Sequence, residues 1–117
     1  AKREDPLIVW GSGNQSRDFV YIDDFVDALC LVIKKISDGR GVNIGLGRAT
    51  SFKEVAKIMA ELEGYNPKIQ PLTDKAEGSF TVLADPSFLK SLGWQPKYSV
   101  RDGFKKVLDK IKSDLKK

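Results

Sequence analysis

Ile-Val-Trp-Gly-Ser-Gly-Asn-Gln-Ser-Arg-Asp-Phe-Val-Tyr-Ile-Asp-Asp, residues 8–24, is the stretch around which the rest of the chain is organised. The apolar run that ends at Trp10 predicts a strand. Gly11 and Gly13 then predict a turn in which the backbone can approach another group closely, because glycine has no Cβ and tolerates positive φ. A second apolar run, residues 19–22, predicts another strand, and Asp23 and Asp24 can cap the helix that follows.

Arg17 lies in the polar segment between these two apolar runs. A guanidinium beside a glycine turn has little freedom to move, and its planar set of donors suits a phosphate or a carboxylate. The alternative is an ion pair with Asp18, Asp23 or Asp24. The residues alone leave both interpretations open.

Apolar spacing predicts four helices. The first, Asp24–Ile36, is apolar around most of its circumference, so we expect it to be buried on more than one side, against a sheet that these residues do not supply. The second, Ser51–Leu62, begins with a capping box formed by its first residue and Glu54. A short helix follows Asp85-Pro86, and Ser99 caps the last helix.

Further short strands are predicted at Gly41–Gly47, Lys68–Gln70 and Phe80–Leu83. Prolines flank the second of these strands, which favours a sheet edge. Cys30 is predicted to be a packed core thiol, because it lies in an apolar helical pattern.

Composition narrows the possible functions. The 117 residues have a formal net charge of +4, one cysteine and no histidine, so the usual Cys/His metal site and an internal disulfide are both excluded. No apolar run is long enough to cross a bilayer. The lysine-rich C-terminus alternates with acidic residues and lacks aromatic residues, so we predict a solvated helix face rather than nucleic-acid binding.

The segment Ala1–Pro6 is interpreted as the tail of a helix that begins earlier, so the chain is expected to be a fragment of a longer protein. A single cysteine fits a reducing compartment, and we expect the protein to be cytoplasmic.

Several blocks, in order, resemble the extended short-chain dehydrogenases/reductases, the NAD(P)-dependent sugar-nucleotide epimerases and dehydratases. They are Trp10-Gly11-Ser12-Gly13, Arg17-Asp18-Phe19, Tyr21-Ile22-Asp23-Asp24, Asn43-Ile44-Gly45 and Leu92-Gly93-Trp94-Gln95-Pro96. The resemblance implies an α/β fold: residues 1–117 form the single C-terminal substrate-binding region of a Rossmann-type enzyme. As an isolated piece this region would be α+β, with helices and short strands. The resemblance also implies that Trp94, in the last of these blocks, fills the core.

The same resemblance implies a role for each candidate site residue. Arg17 would contact the diphosphate of a nucleotide sugar, and Trp10 would pack near the base or sugar, with a place in the core as its equal alternative. Asn43 would line the pocket, unless it serves only the turn. The loop that carries Lys75 and Glu77 would touch the nucleoside, although a solvated lysine is the simpler interpretation of Lys75.

That loop is similar to the Lys-Pro-Asp-Gly loop of GDP-L-fucose synthase-like members of the family. Ala76 and Glu77 depart from this pattern, and Thr81 stands where a basic residue is usual. GDP, UDP and dTDP sugars therefore stay open as substrates, as do epimerisation, dehydration, decarboxylation and reduction.

The family's catalytic Tyr-x-x-x-Lys pair and its glycine-rich cofactor loop do not occur in the chain. No residue here is therefore expected to be catalytic, to bind a metal or to bind the cofactor, and NAD or NADP would be held by an N-terminal Rossmann domain of the longer protein. That protein would be an enzyme and a homo-oligomer. A non-catalytic nucleotide-sugar-binding or regulatory module is one alternative, and a basic scaffold or RNA-binding module is another.

Overall fold

The computed structural model describes residues 3–117. Leu7–Trp10 forms the strand that the apolar run predicts. The described residues divide into two units. Unit 1 contains the described residues up to Arg17 together with Ala49–Val82, and unit 2 contains Asp18–Arg48 and Leu83–Lys117. The prediction of a single substrate-binding region stays a prediction.

The elements alternate between short strands and helices. In chain order they are β1 (Leu7–Trp10), β2 (Ser16–Arg17), α1 (Ile22–Lys35), β3 (Thr50–Ser51), α2 (Phe52–Leu62), β4 (Ile69–Leu72), β5 (Thr81–Val82), α3 (Ser87–Ser91) and α4 (Val100–Leu115). This mixture confirms the predicted combination of helices with short strands. In the part of the chain described, no helix is both long and apolar enough to cross a membrane.

Unit 1 contains two small sheets and one helix. β1 pairs in parallel with β4, from Leu7 opposite Ile69 to Trp10 opposite Leu72. In the second sheet β2 lies between β3, which is antiparallel to it, and β5, which is parallel. α2 begins as predicted, because the Ser51 hydroxyl accepts the Glu54 N–H at 3.1 Å.

Unit 2 is built around the buried side chains of Ala28, Leu89 and Trp94. Trp94 is 4% exposed, which confirms its predicted place in the core, and its indole N–H donates to the carbonyl oxygen of Asp24 at 3.0 Å. The Asp24 carboxylate accepts the backbone N–H groups of Lys97 and Tyr98 at 2.9 and 3.0 Å. One residue of α1 therefore anchors both Trp94 and the chain that leads to α4.

The predicted strand at residues 19–22 is wrong, since residues 18–21 have no regular structure and α1 begins at Ile22. The aromatic residues in this run pack onto other rings instead. The Phe19 and Phe104 ring centroids lie 5.6 Å apart, and those of Tyr21 and Tyr98 lie 4.7 Å apart. Tertiary packing has overridden the strand pattern.

Helix capping at α1 also differs from the prediction. The cap residue is Tyr21, which makes no side-chain cap hydrogen bond, and the buried Asp24 carboxylate binds the backbone at residues 97–98 instead. Cys30 is exposed in the described chain, so the prediction that its thiol packs in the core is wrong. The other apolar side chains on its side of α1 are exposed as well.

The remaining strand predictions shift by a few residues or fail. The strand predicted at Lys68–Gln70 is β4, and Pro71 lies inside it. Gly41–Gly47 forms no strand. The described residues that precede β1, residues 3–6, are not helical, and Ala1 and Lys2 lie outside the described residues.

Gly45 lies against Asp18, whose carboxylate accepts the N–H groups of Leu46 and Gly47 at 2.8 and 2.9 Å. A Cβ at Gly45 would lie 2.5 Å from Asp18 Oδ2 and 2.6 Å from the Ala84 Cβ. We therefore expect Gly45→Ala to lower the free energy of unfolding by about 1–3 kcal/mol, because the crowded atoms must shift.

Gly41→Ala is the matched control, since a Cβ there meets nothing within 4 Å. Urea unfolding followed by circular dichroism measures both variants. Equal unfolding midpoints for Gly45→Ala and Gly41→Ala would contradict the steric argument.

Candidate functional site

The glycine turn after β1 is the structural centre of unit 1. Gly11 and Gly13 have φ of +72° and +76°, so the positive φ predicted for both positions is present. The Gln15 side chain closes the turn, because its amide nitrogen donates to the Trp10 carbonyl oxygen at 2.8 Å. The Asn14 N–H donates to the Ser12 hydroxyl at 3.1 Å.

The N-terminus of α2 holds the same turn from the other side. The Phe52 N–H donates to the Gln15 carbonyl at 3.1 Å, and the Lys53 N–H donates to the Gly13 carbonyl at 3.0 Å. These donors are among those that a helix leaves unsatisfied in its first turn. They fix the turn in place and are not available to a ligand.

Glu77 attaches the loop at residues 73–79 to this turn. Its carboxylate oxygen Oε1 accepts both the backbone N–H and the hydroxyl of Ser12, the first at 3.1 Å. The glycine at position 11 is required for this contact, because a Cβ there would lie 3.0 Å from the Glu77 Cβ. Glu77 is thus half-buried and has a structural partner.

Arg17, at the end of β2, is held by carbonyl groups and by a ring. Its Nη1 donates to the carbonyl oxygens of Ser16 and Ser79, each at 2.7 Å, and its Cζ lies 5.5 Å from the centroid of the Phe52 ring. A Cβ at Gly78 would lie 3.5 Å from Nη2, so a side chain at that position would contact this edge of the guanidinium.

Two of the three carboxylates offered as alternative partners of Arg17 accept backbone N–H groups. Asp18 accepts the backbone N–H groups of Leu46 and Gly47, and Asp24 accepts those at 97–98. The two hydrogen bonds that the Arg17 guanidinium donates through Nη1 go to neutral carbonyl groups. Such a cation is suited to an anion such as a phosphate.

Trp10 and Lys75 are the most accessible of the predicted site residues in unit 1. The Trp10 side chain is 60% exposed, so it does not fill the core of the described chain. Lys75 is exposed and its backbone N–H donates to the Leu72 carbonyl at 3.1 Å. Asn43 belongs to unit 2, where it is exposed between the half-buried Val42 and Ile44.

Unit 1 therefore connects three of the predicted residues. The Trp10 carbonyl accepts a hydrogen bond from the Gln15 side chain, and the Glu77 carboxylate accepts one from Ser12. The Arg17 guanidinium donates to the Ser79 carbonyl. The sequence alone did not identify Gln15, Ser79 and Phe52 as contacts of these residues. Gln15 resembles an ordinary polar turn residue in the sequence, and only its burial in the structure, at 2% exposed, shows its role.

We expect Glu77→Ala to release the loop from the glycine turn, because the Ser12 N–H and hydroxyl both lose their acceptor. The free energy of unfolding should fall by about 1–3 kcal/mol, and the Ser12 amide should exchange its hydrogen faster. Asp74→Ala, on an exposed residue of the same loop, is the control and should change neither quantity. Unchanged exchange at Ser12 in Glu77→Ala would contradict the proposed attachment.

Known proteins share both the sequence and the fold. Residues 1–45 match the NAD dependent epimerase/dehydratase family. GDP-L-fucose synthase 1 from Arabidopsis thaliana is 37% identical over 88% of this chain, and GDP-L-fucose synthase from Sinorhizobium fredii is 36% identical over 93%. The matched regions make up 32% and 35% of those two proteins.

Solved structures give the same result. A GDP-6-OMe-4-keto-L-xylo-heptose reductase from C. jejuni is 28% identical over 92% of this chain and 34% of its own, with a TM-score of 0.80. A UDP-glucose 4-epimerase from Thermotoga maritima, solved with UDP-glucose, is 32% identical over 96% of this chain and 36% of its own, with a TM-score of 0.79. In both cases the match falls in the C-terminal part.

The chain belongs to the NAD-dependent epimerase/dehydratase family of extended short-chain dehydrogenases/reductases, and it corresponds to the C-terminal part of such proteins. The predicted likeness to GDP-L-fucose synthase-like members is confirmed. The chain spans about a third of the length of these relatives.

Proposed function

We propose that this chain is the nucleotide-sugar-binding portion of an NAD(P)-dependent sugar-nucleotide epimerase, dehydratase or reductase of the GDP-L-fucose synthase kind. The observation that carries the proposal is the positioned guanidinium of Arg17, with one nitrogen on two carbonyl oxygens and another beside Gly78. A cation fixed in this way recognises a diphosphate with little loss of side-chain entropy.

The other residues have supporting roles in this proposal. Trp10 offers an exposed ring to the base or sugar, and Asn43 offers an amide to the sugar. The loop with Lys75 and Glu77 lies beside the nucleoside, where Glu77 acts mainly by holding the loop through Ser12. The relatives named above include a GDP-sugar reductase and a UDP-glucose epimerase, so nucleotide sugars are the substrate class that the comparisons favour.

The hydride chemistry of this proposal belongs to the rest of a longer protein. NAD or NADP is held there by a Rossmann domain, which also supplies the acid and base groups, while this chain binds and orients the nucleotide sugar. One solved relative, a GDP-mannoheptose C4 reductase from Campylobacter jejuni that is 29% identical with a TM-score of 0.74, has NADP bound. We further propose a cytoplasmic homo-oligomer.

Titration calorimetry with GDP, UDP and dTDP sugars tests the proposal on the intact polypeptide that carries this sequence, followed by turnover assays with NAD(H) and NADP(H). We expect a GDP sugar to bind and to be converted. Binding without turnover would favour the non-catalytic module. No binding of any nucleotide sugar would contradict both.

A further inference from the structure

The three-stranded sheet of unit 1 has two faces with different chemistry. Residues directly opposite each other on paired strands share a face, so Ser16 and Ser51 lie on one face of the sheet, and Arg17 and Thr50 lie on the other. Thr81 of β5 is opposite Ser16 and belongs to the first face. There the hydroxyls of Ser16 and Thr81 form a hydrogen bond to each other at 3.1 Å.

The face that carries Arg17 contains a buried hydroxyl without a partner. Thr50 is 1% exposed, and within residues 3–117 its Oγ1 neither donates nor accepts a hydrogen bond. A buried polar group that lacks a partner destabilises the folded state, so such a group calls for an explanation. Its place directly across the strand pair from Arg17 connects it with the anion-binding guanidinium.

Gln15 has a second buried atom without a partner in the described chain, its side-chain oxygen Oε1. The amide nitrogen of Gln15 donates to the Trp10 carbonyl, and a carbonyl only accepts, so the orientation of the amide is fixed. Oε1 can therefore only accept a hydrogen bond and does not suit an anion. The Thr50 hydroxyl can donate, so of these two groups Thr50 is the one that suits a phosphate.

We propose that the Thr50 hydroxyl is a second donor of the Arg17 site and binds an oxygen of the same diphosphate, an assignment that rests on the proposed function. Directly opposite residues have Cβ atoms about 4.5–5.5 Å apart, so one phosphate group can contact both side chains. Hydrogen bonds from a hydroxyl to a charged oxygen are short and strong. Because the hydroxyl is buried in the described structure, binding is accompanied by a small movement of the Arg17 stem beside it.

Thr50→Val tests the contact, because valine keeps the branched shape and suits a strand but has no hydroxyl. Calorimetric titration of the intact polypeptide with GDP-L-fucose and with GDP measures the affinity. We expect both affinities to fall by at least about tenfold, and by the same factor, since the two ligands share the diphosphate. The urea midpoint of unfolding should not fall, because the hydroxyl has no partner to lose within the described residues. Thr50→Ser keeps the hydroxyl and should bind within about threefold of the unsubstituted protein.

Thr81→Val is the matched control. It makes the same chemical change on the other strand that flanks β2, but on the opposite face of the sheet from Arg17. The Thr81 hydroxyl has a partner in Ser16, so we expect this variant to lower the unfolding midpoint and to leave both affinities unchanged. The two variants should therefore show opposite patterns of binding and stability.

Unchanged affinities in Thr50→Val would overturn the role of Thr50 and would leave the proposed function standing if Arg17→Ala still weakens binding. A loss confined to GDP-L-fucose would also overturn it, because the contact would then be with the sugar. So would a lower unfolding midpoint in Thr50→Val, since the hydroxyl would then have a structural partner. Failure of the unsubstituted protein to bind either ligand would contradict the proposed function itself, and the role of Thr50 with it.

Discussion

Replacing Trp94 with alanine is expected to lower the free energy of unfolding by about 3–5 kcal/mol, a large share of the stability of a small domain. The side chain is 4% exposed and packs with Ala28 and Leu89 at the centre of unit 2. Its indole N–H also donates to the Asp24 carbonyl at 3.0 Å, so the substitution removes a hydrogen bond as well as a core side chain.

Trp94→Phe separates the two contributions, because it keeps an aromatic ring and removes the N–H donor. We expect it to cost about 1–2 kcal/mol. Trp10→Ala is the control, since Trp10 is the second tryptophan and is 60% exposed; its cost should stay within about 0.5 kcal/mol. Urea unfolding followed by circular dichroism gives all three values. Similar losses for Trp94→Ala and Trp10→Ala would show that Trp94 is not the centre of the core.

Replacing Arg17 with alanine is expected to weaken nucleotide-sugar binding by about 10- to 100-fold, the range for hydrogen bonds to a charged group. Arg17→Lys should lose nearly as much. Nη1 is occupied by two carbonyl oxygens at 2.7 Å, and only the second nitrogen of a guanidinium can also reach an anion. A lysine ammonium keeps the charge, but its single nitrogen cannot bind the carbonyl oxygens and the anion through separate nitrogens.

Arg40→Ala is the control for these variants. Arg40 forms an exposed ion pair with Asp38 at 2.7 Å in unit 2, so its removal changes the net charge by the same amount away from Arg17's contacts. Calorimetric titration at a temperature well below the unfolding midpoint gives each affinity. An affinity that survives in Arg17→Ala, or is fully retained in Arg17→Lys, would contradict the proposed contact.

The elements that sequence reasoning predicted well are those whose signals are local. The capping residue Ser51 and the end of α2 at Leu62 depend on a few adjacent side chains, and so do the positive φ angles at Gly11 and Gly13. Trp94 was predicted as core through family resemblance.

The errors arose where distant residues decide the conformation. The 19–22 run becomes irregular because its aromatic rings pack on residues far along the chain, such as Phe104. Asp24 binds the backbone at 97–98 instead of capping its own helix. Around Arg17, the partners Ser79 and Phe52 come from segments 62 and 35 residues further along, and no local pattern identifies them.

The attachment of the loop at residues 73–79 has a consequence for the substitutions that the loop can accept. Two side-chain contacts hold it against the rest of unit 1, Glu77 with Ser12 and Ser79 with Arg17, whereas the flanking strands β4 and β5 are paired through their backbones. Substitutions in the rest of the loop therefore leave the pairing of β4 and β5 intact, provided that Glu77 still binds Ser12 and the chain still brings the residue 79 carbonyl to Arg17.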